Sequence, residues 1–337
     1  MVLGAGYNQE IESILSVDTC PGFLRKMSAP TGEMRESDSR IATAKLPDFD
    51  SLWDYDHPGP TEKRFRELLP AAIDSLDISY LAELLTQIAR AETMQRKFPD
   101  AQKTLDRVEK ALPKAEQRVS VRYLLERGRV QSLSGKAGEA QSRFQEALNL
   151  AVVFKMDLYA VDAAHLMAMA EPEKALEWNL KALEIAENSK DEKTGRWKVI
   201  LYNSIGWNYF DQKSYQESLF MFQKALEFYE QLGDPAKIRT AKWCVAKVLR
   251  AIDHTEEALE MQRGLFEEYQ GDGKRNGYVY EEIAECLLVL GQENEAQEWF
   301  AAAYAELSND PRVARDQNRI NRLKELGQVG RPRPSQA

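Results

Sequence analysis

The residues of this chain that could do chemistry are few and widely spaced. Glu281, Glu282 and Glu285 fall in the stretch YVYEEIAEC. Glu281 and Glu285 are four apart and share one helix face. Neighbouring carboxylates repel, which can raise one carboxyl and make an acid–base pair. The plainer reading is a pair that answers Lys247 or Arg250 earlier in the chain. His165, in VDAAHLMAM, stands three residues after Asp162. That spacing could orient an imidazole base; the alternative is a core histidine among Ala164, Leu166 and Met167. His165, Asp162, Glu281 and Glu285 are therefore the catalytic candidates, should the chain be an enzyme. Two glycine-lysine turns, SGKAGEA (134–140) and GDGKRNG (271–277), are not phosphate loops. The first lacks the glycine five residues ahead of its GK pair, and each falls between expected helices rather than after a strand.

Composition narrows the classes further. Cys20, Cys244 and Cys286 are far apart with no CxxC pair, and His57, His165 and His254 are scattered. Structural disulfides and a zinc or histidine-rich metal site are not expected, and no cofactor is implied. The net charge of −9 argues against a general nucleic-acid binder, which needs a basic face. The start, MVLGAGYNQEIESILSV, lacks a basic segment ahead of a long apolar run, so no secretory signal is read there. No stretch approaches the roughly 20 apolar residues that cross a bilayer. The expectation is a cytoplasmic protein without a membrane span.

The elements that must position these residues recur. A block of small and aromatic residues returns with a small residue at Ala101, Ala140, Ala175, Ser218, Ala258 and Ala296, in steps of 35 to 43. Such a period means stacked units that bury their apolar faces against neighbours. Apolar spacing predicts a helix over 61–75 with Thr61 as N-cap. Six helix pairs follow: 78–95 with 99–112, 117–134 with 137–153, 157–169 with 172–188, 194–212 with 215–231, 235–252 with 255–270, and 276–290 with 293–307. Gly135, Gly233, Gly271, Gly273 and Gly291 fall at expected helix ends. Asp310-Pro311 opens a last helix of about 15 residues, a polar cap for the array. The expected organisation is a disordered leader over 1–45, an acidic-aromatic segment and N-terminal capping helix over 46–76, the solenoid over 77–308, a C-terminal capping helix over 309–326 and a flexible tail over 327–337. Residues 46–57, LPDFDSLWDYDH, interleave four aspartates with Phe49, Leu52, Trp53 and Tyr55. They have two readings: a cap on the first repeat, or an internal pseudo-ligand that enters the groove.

The paired helices resemble the tetratricopeptide repeat. The fourth unit carries Tyr202, Ile205, Gly206, Tyr209, Ser218, Phe222 and Ala225. The sixth carries Tyr280, Ile283, Ala284, Leu287, Ala296, Phe300 and Ala303, and the second offers Leu124, Gly128, Ala140, Phe144 and Ala147. Two units depart, with Asn179 and Gln262 where the family has an aromatic. Stretches such as ELLTQIARAE and AKWCVAKVLRA also look like a largely uncharacterised, mainly bacterial group of these proteins. The resemblance implies an all-α, right-handed solenoid of about six hairpins with capping helices at both ends. It also implies that the first helix of each hairpin lines a concave groove. Carried over unit by unit, the groove positions include Arg90, Arg129, Asn203, Trp207, Trp243, Lys247, Arg250, Glu281 and Glu285. Arginine beside tryptophan suits a ligand that is partly apolar and partly anionic. The alternative is that the charges are solvated helix faces and that Trp207 and Trp243 plug between repeats. The functional expectation is a protein- or peptide-binding scaffold. The alternatives are a small-molecule binder or cofactor-independent enzyme using the same groove, and a peptide-responsive switch. Self-association is left open.

Overall fold

A computed structural model describes residues 46–329. The leader expected over 1–45 and the end of the tail, 330–337, lie outside the described residues. These are all-α, without a strand among them, and form two compact units that divide at Thr194 and Gly195.

The first unit opens with a single 3-10 turn, Phe49–Leu52, followed by α1 (Pro58–Glu67) and α2 (Leu69–Asp74). One continuous helix over 61–75 was the expectation. The break at Leu68 has a plain cause: Pro70 has no N–H for the carbonyl four residues back, and its ring crowds that turn. The start also lies earlier, at Pro58, with His57 as N-cap. Thr61 instead donates to the Asp54 carbonyl at 3.0 Å. Three antiparallel pairs follow: α3 (Ile78–Met94) with α4 (Phe98–Ala111), α5 (Gln117–Leu133) with α6 (Ala137–Val153), and α7 (Asp157–Ala170) with α8 (Ala175–Asn188).

The second unit stacks α9 (Trp197–Asp211) with α10 (Tyr215–Leu232), α11 (Pro235–Ala251) with α12 (Thr255–Gly271), and α13 (Gly277–Val289) with α14 (Glu293–Leu307). It ends in α15 (Gln317–Leu326), which begins later than Asp310-Pro311 suggested. Asp316 caps it by accepting from the Arg319 amide at 3.1 Å. Asp310 is otherwise engaged: its carboxylate takes the Arg312 guanidinium and the Tyr278 hydroxyl.

Two hairpins close by the same contact. A small residue on the first helix faces an aromatic sixteen positions later on the second. A Cβ at Gly128 would sit 2.4 Å from the Phe144 ring, and one at Gly206 would sit 2.6 Å from Phe222. Only glycine admits those rings so close to the backbone, and Phe144, Phe222 and Phe300 are almost fully buried. The turns repeat as well. Two residues before five of the six second helices the backbone is left-handed, at Arg96, Gly135, Lys213, Asp253 and Gly291. Of the glycines expected at helix ends, Gly135, Gly233, Gly273 and Gly291 take a positive φ, while Gly271 is the last residue of α12.

Candidate functional site

Each unit presents one face built from its first helices. In the first unit that face is made by α3, α5 and α7, and it carries charge that is paired from helix to helix. Glu83 on α3 accepts from Arg118 at 2.9 Å and Arg122 at 3.0 Å, both on α5. Arg122 Nε also donates to the Tyr159 hydroxyl on α7 at 2.8 Å. Arg129 on α5 donates to Glu126 at 2.6 Å and to both oxygens of Asp162 on α7 at 2.6 Å. Burial alone would raise the Asp162 carboxyl, but Arg129 and Arg90 outweigh it and hold Asp162 below the usual carboxylate range. Burial would likewise lower the Arg129 guanidinium, but Asp162 and Glu126 keep it firmly charged. Glu126 Oε2 is buried without a hydrogen-bond partner among the described residues.

This arrangement separates the two residues proposed as an oriented base. Asp162 faces Arg129, while His165 Nδ1 lies 3.0 Å from Asn179 Oδ1. Asn179 stands where the repeat usually has an aromatic, so the departure in the sequence and the placement of His165 are one feature.

Arg90 differs from its neighbours. It meets the Glu126 carboxylate only at 3.8 Å. Its guanidinium instead lies over the rings of Trp53 and Tyr55, at 5.5 and 5.4 Å from their centroids. Those two rings are stacked, 4.8 Å apart and 7° from parallel. The Trp53 indole N–H donates to Gln87 Oε1 at 2.8 Å. The acidic-aromatic segment therefore lies on the first-helix face of its own unit.

In the second unit the face is made by α9, α11 and α13, with α15 at its end. Its centre is a row of aromatic rings. Trp207 lies 6.0 Å from Trp243, and Trp243 lies 6.2 Å from Tyr278, edge to face. All three are partly exposed. Trp243 Nε1 donates to the Tyr278 carbonyl at 3.2 Å, and Lys247 Nζ lies 5.2 Å from the Trp243 ring centroid. Arg312 and Arg319 stand over Tyr278 at 5.6 and 5.4 Å. One end of the row opens into a cleft of about 520 Å³, lined by Arg239, Thr240, Trp243, Tyr269, Arg275 and Tyr278 among others.

The charged candidates of this unit answer one another across helices. Lys247 and Arg250 on α11 both donate to Glu282 on α13, Arg250 at 2.9 and 3.0 Å. Glu281 instead takes Arg319, and Glu285 takes Arg322, both on α15. Their carboxylates point to the helix after them, not to Lys247 or Arg250. Burial would raise the Glu282 carboxyl, but Lys247 and Arg250 together hold it low. Asn203 Oδ1 lies 3.9 Å from Cys244 Sγ. Burial pushes the Cys244 and Cys286 thiols up to about 12, so both are inert at neutral pH.

Glu282, Glu126, Gln87, Arg319 and Arg322 were not among the candidates. Glu282 had a visible signal, since it is the second glutamate of YVYEEIAEC. Among the described residues, no group of three His, Cys, Asp or Glu side chains could hold a metal ion. No described helix is long and apolar enough to cross a membrane.

The hairpins, with small residues pressed against buried aromatics, match the tetratricopeptide repeat model over residues 163–231. That segment carries tetratricopeptide repeats. No curated protein matches it in sequence. Among solved structures it is similar to a signal transduction ATPase with numerous domains and a tetratricopeptide repeat sensor from Pyrococcus horikoshii. The TM-score is 0.61 at 14% identity, over 79% of this chain and 42% of that one. The chain thus spans less than half the length of that ATPase. It is also similar to the apo form of RapI, with a TM-score of 0.63 at 11% identity over 83% and 81% of the two chains. NprR in complex with its cognate peptide NprX gives 0.50 at 15% identity over 82% of each. At such identities the likeness concerns the repeat fold alone.

Proposed function

We propose that this protein is a non-catalytic scaffold that binds a peptide or protein segment. In this reading the second unit receives the segment on the row Trp207, Trp243 and Tyr278. The observation that carries the reading is the row itself: three partly exposed rings, one from each of three successive first helices, in contact at 6.0 and 6.2 Å. A row of this kind offers large, rigid contact area at low entropic cost, which is what an extended apolar or aromatic segment needs. The cleft beside Trp243 and Tyr278 has room for one large side chain of the ligand. Two of the fold's relatives fit the reading: one was solved with its cognate peptide, and one belongs to an ATPase whose repeats are described as a sensor.

The charges carry less of the binding than their types suggest. Arg129, Lys247 and Arg250 are already paired with carboxylates inside the protein. They set the face and its rigidity, while the rings supply contact area. The same pairing weighs against acid–base catalysis, since Glu281, Glu285 and Asp162 all face guanidinium groups.

The test is selection from an immobilised random dodecapeptide library with the full chain. Wild type should enrich a family of sequences rich in aromatic and apolar residues. Trp243→Ala should weaken those peptides at least tenfold, and Arg250→Ala should change them little. Equal binding by wild type and Trp243→Ala would remove the aromatic row from the reading.

A further inference from the structure

Residues 48–56 do more than cover the end of the first repeat. The covering is done by Phe49, which is 4% exposed and packs against Phe65 and Tyr80. Beyond Phe49, Trp53 still sets an edge against Phe65, while its other face and the rest of the segment run over polar ground. Trp53 and Tyr55 stack on each other under the Arg90 guanidinium, and the Trp53 indole reaches the buried Gln87 amide. Asp50 lies 3.8 Å from Arg122. Lys193, well over a hundred residues later, donates to Asp48 at 3.1 Å and to Asp50 at 2.6 Å. Every contact is complementary: acid to base, ring to guanidinium, indole N–H to amide oxygen. Yet the segment's outer contacts are weakly held. The Lys193 pairs are exposed on both sides, and such pairs add little stability. Tyr55 is 53% exposed.

We propose that Gln87, Arg90, Arg122 and Lys193 form a receptor surface for an extended acidic-aromatic segment of a partner protein, and that residues 50–56 are its resident occupant. The resident defines what the partner must carry: a Trp-x-Tyr pair, with a carboxylate three residues ahead of the tryptophan. Arg90 is the central determinant, because it engages both rings and meets Glu126 only at 3.8 Å. Phe49 stays anchored when the rest of the segment lifts, so exchange does not require the first repeat to open. This surface is on the first unit and is independent of the aromatic row of the second.

The probe is a fluorescein-labelled synthetic peptide with the sequence LPDFDSLWDYDH, read by anisotropy against the full chain. The full-length variant Asp50→Asn/Trp53→Ala/Tyr55→Ala, which keeps Phe49, should bind it at least tenfold more tightly than wild type. Adding Arg90→Glu should abolish that gain, and adding Trp243→Ala should leave it intact. A folded variant that binds no better than wild type overturns the proposal. So does binding that survives Arg90→Glu, or that depends on Trp243, which would place the peptide on the second unit. Wild type supplies a second readout free of any folding concern. Excess unlabelled peptide should speed amide exchange across residues 50–57 without changing exchange in α3. Unchanged exchange across 50–57 at saturating peptide would equally overturn it.

Discussion

The first-helix faces of the two units are built from one repeat plan and carry opposite chemistry. In the first unit, Arg129, Asp162 and Glu126 form a buried charged network, and the rings over Arg90 are supplied by residues 53 and 55, from outside the first helices. In the second, the rings grow from the first helices themselves, and Lys247, Arg250, Arg319 and Arg322 are tied to glutamates beside them. The hairpin contact is nevertheless the same, Gly128 against Phe144 and Gly206 against Phe222. The residues that close a repeat and those that decorate its face are thus separate sets, so one array can hold two different surfaces.

The sharpest way to break this comparison is to remove one arginine from each unit. Arg129→Ala strips Asp162 of its bidentate partner and Glu126 of its closest one in a buried setting. The expected loss is about 3–5 kcal/mol, the cost of a buried charge left uncompensated. Arg250→Ala leaves Glu282 its Lys247 partner, so the loss should be less than half as large. Urea melts that follow each unit separately would check both, since two units need not unfold as one transition. Acid acts through the same residues. Asp162 and Glu282 are held below their ordinary values of 3.8 and 4.5. A depressed carboxyl stabilises the fold above its ordinary value, and that contribution drains away as pH falls through the depressed one. Asp162→Asn and Glu282→Gln should each flatten the acid limb of stability against pH. An unchanged acid limb in both variants would remove these pairs from the account.

The hairpin contact gives a smaller and more even effect. Gly128→Ala and Gly206→Ala each force a methyl group to within 2.4 or 2.6 Å of a buried ring. Each should cost about 1–3 kcal/mol, the range for overpacking a tight core. Similar losses in both units would show that the closing contact is shared even though the faces differ. A loss confined to one unit would show that the repeats are not equivalent.

How much of this could be read beforehand follows from the same separation. The hairpins were legible because a small residue and an aromatic at fixed spacing have one packing solution. The positions of Trp207, Trp243, Arg90 and Arg129 on first helices came from the family pattern. What charge would meet what charge was not legible. Glu281 and Glu285 looked like partners for Lys247 and Arg250, yet Glu282, one residue on, takes both. A helix turns about 100° per residue, so a one-residue difference decides which neighbouring helix a side chain meets. The break at Leu68 was visible in Pro70 but was outweighed by apolar spacing. The left-handed turns at Arg96 and Lys213 carry no glycine to announce them.

The two departures from the repeat plan give the smallest expected effect and the finest comparison. Asn179 and Gln262 both stand where Phe144, Phe222 and Phe300 stand in other hairpins, and both are buried. Asn179 has a use, since its amide oxygen lies 3.0 Å from His165 Nδ1. Gln262 Oε1 has no hydrogen-bond partner among the described residues, and its amide nitrogen reaches the Trp243 carbonyl only at 3.5 Å. A buried acceptor without a partner costs free energy that an apolar side chain would not. Gln262 follows Ala246 by the same sixteen residues that separate Phe300 from Ala284, so the ring has a precedent at that spacing in the next hairpin. Gln262→Phe should raise the stability of the second unit by about 1 kcal/mol, the unsatisfied acceptor relieved less some cost of repacking. Asn179→Phe should do the reverse in the first unit, because it takes the amide away from His165. Melts of the two variants side by side would check the pair. A loss in both would mean that Gln262, like Asn179, holds a polar role that the repeat keeps.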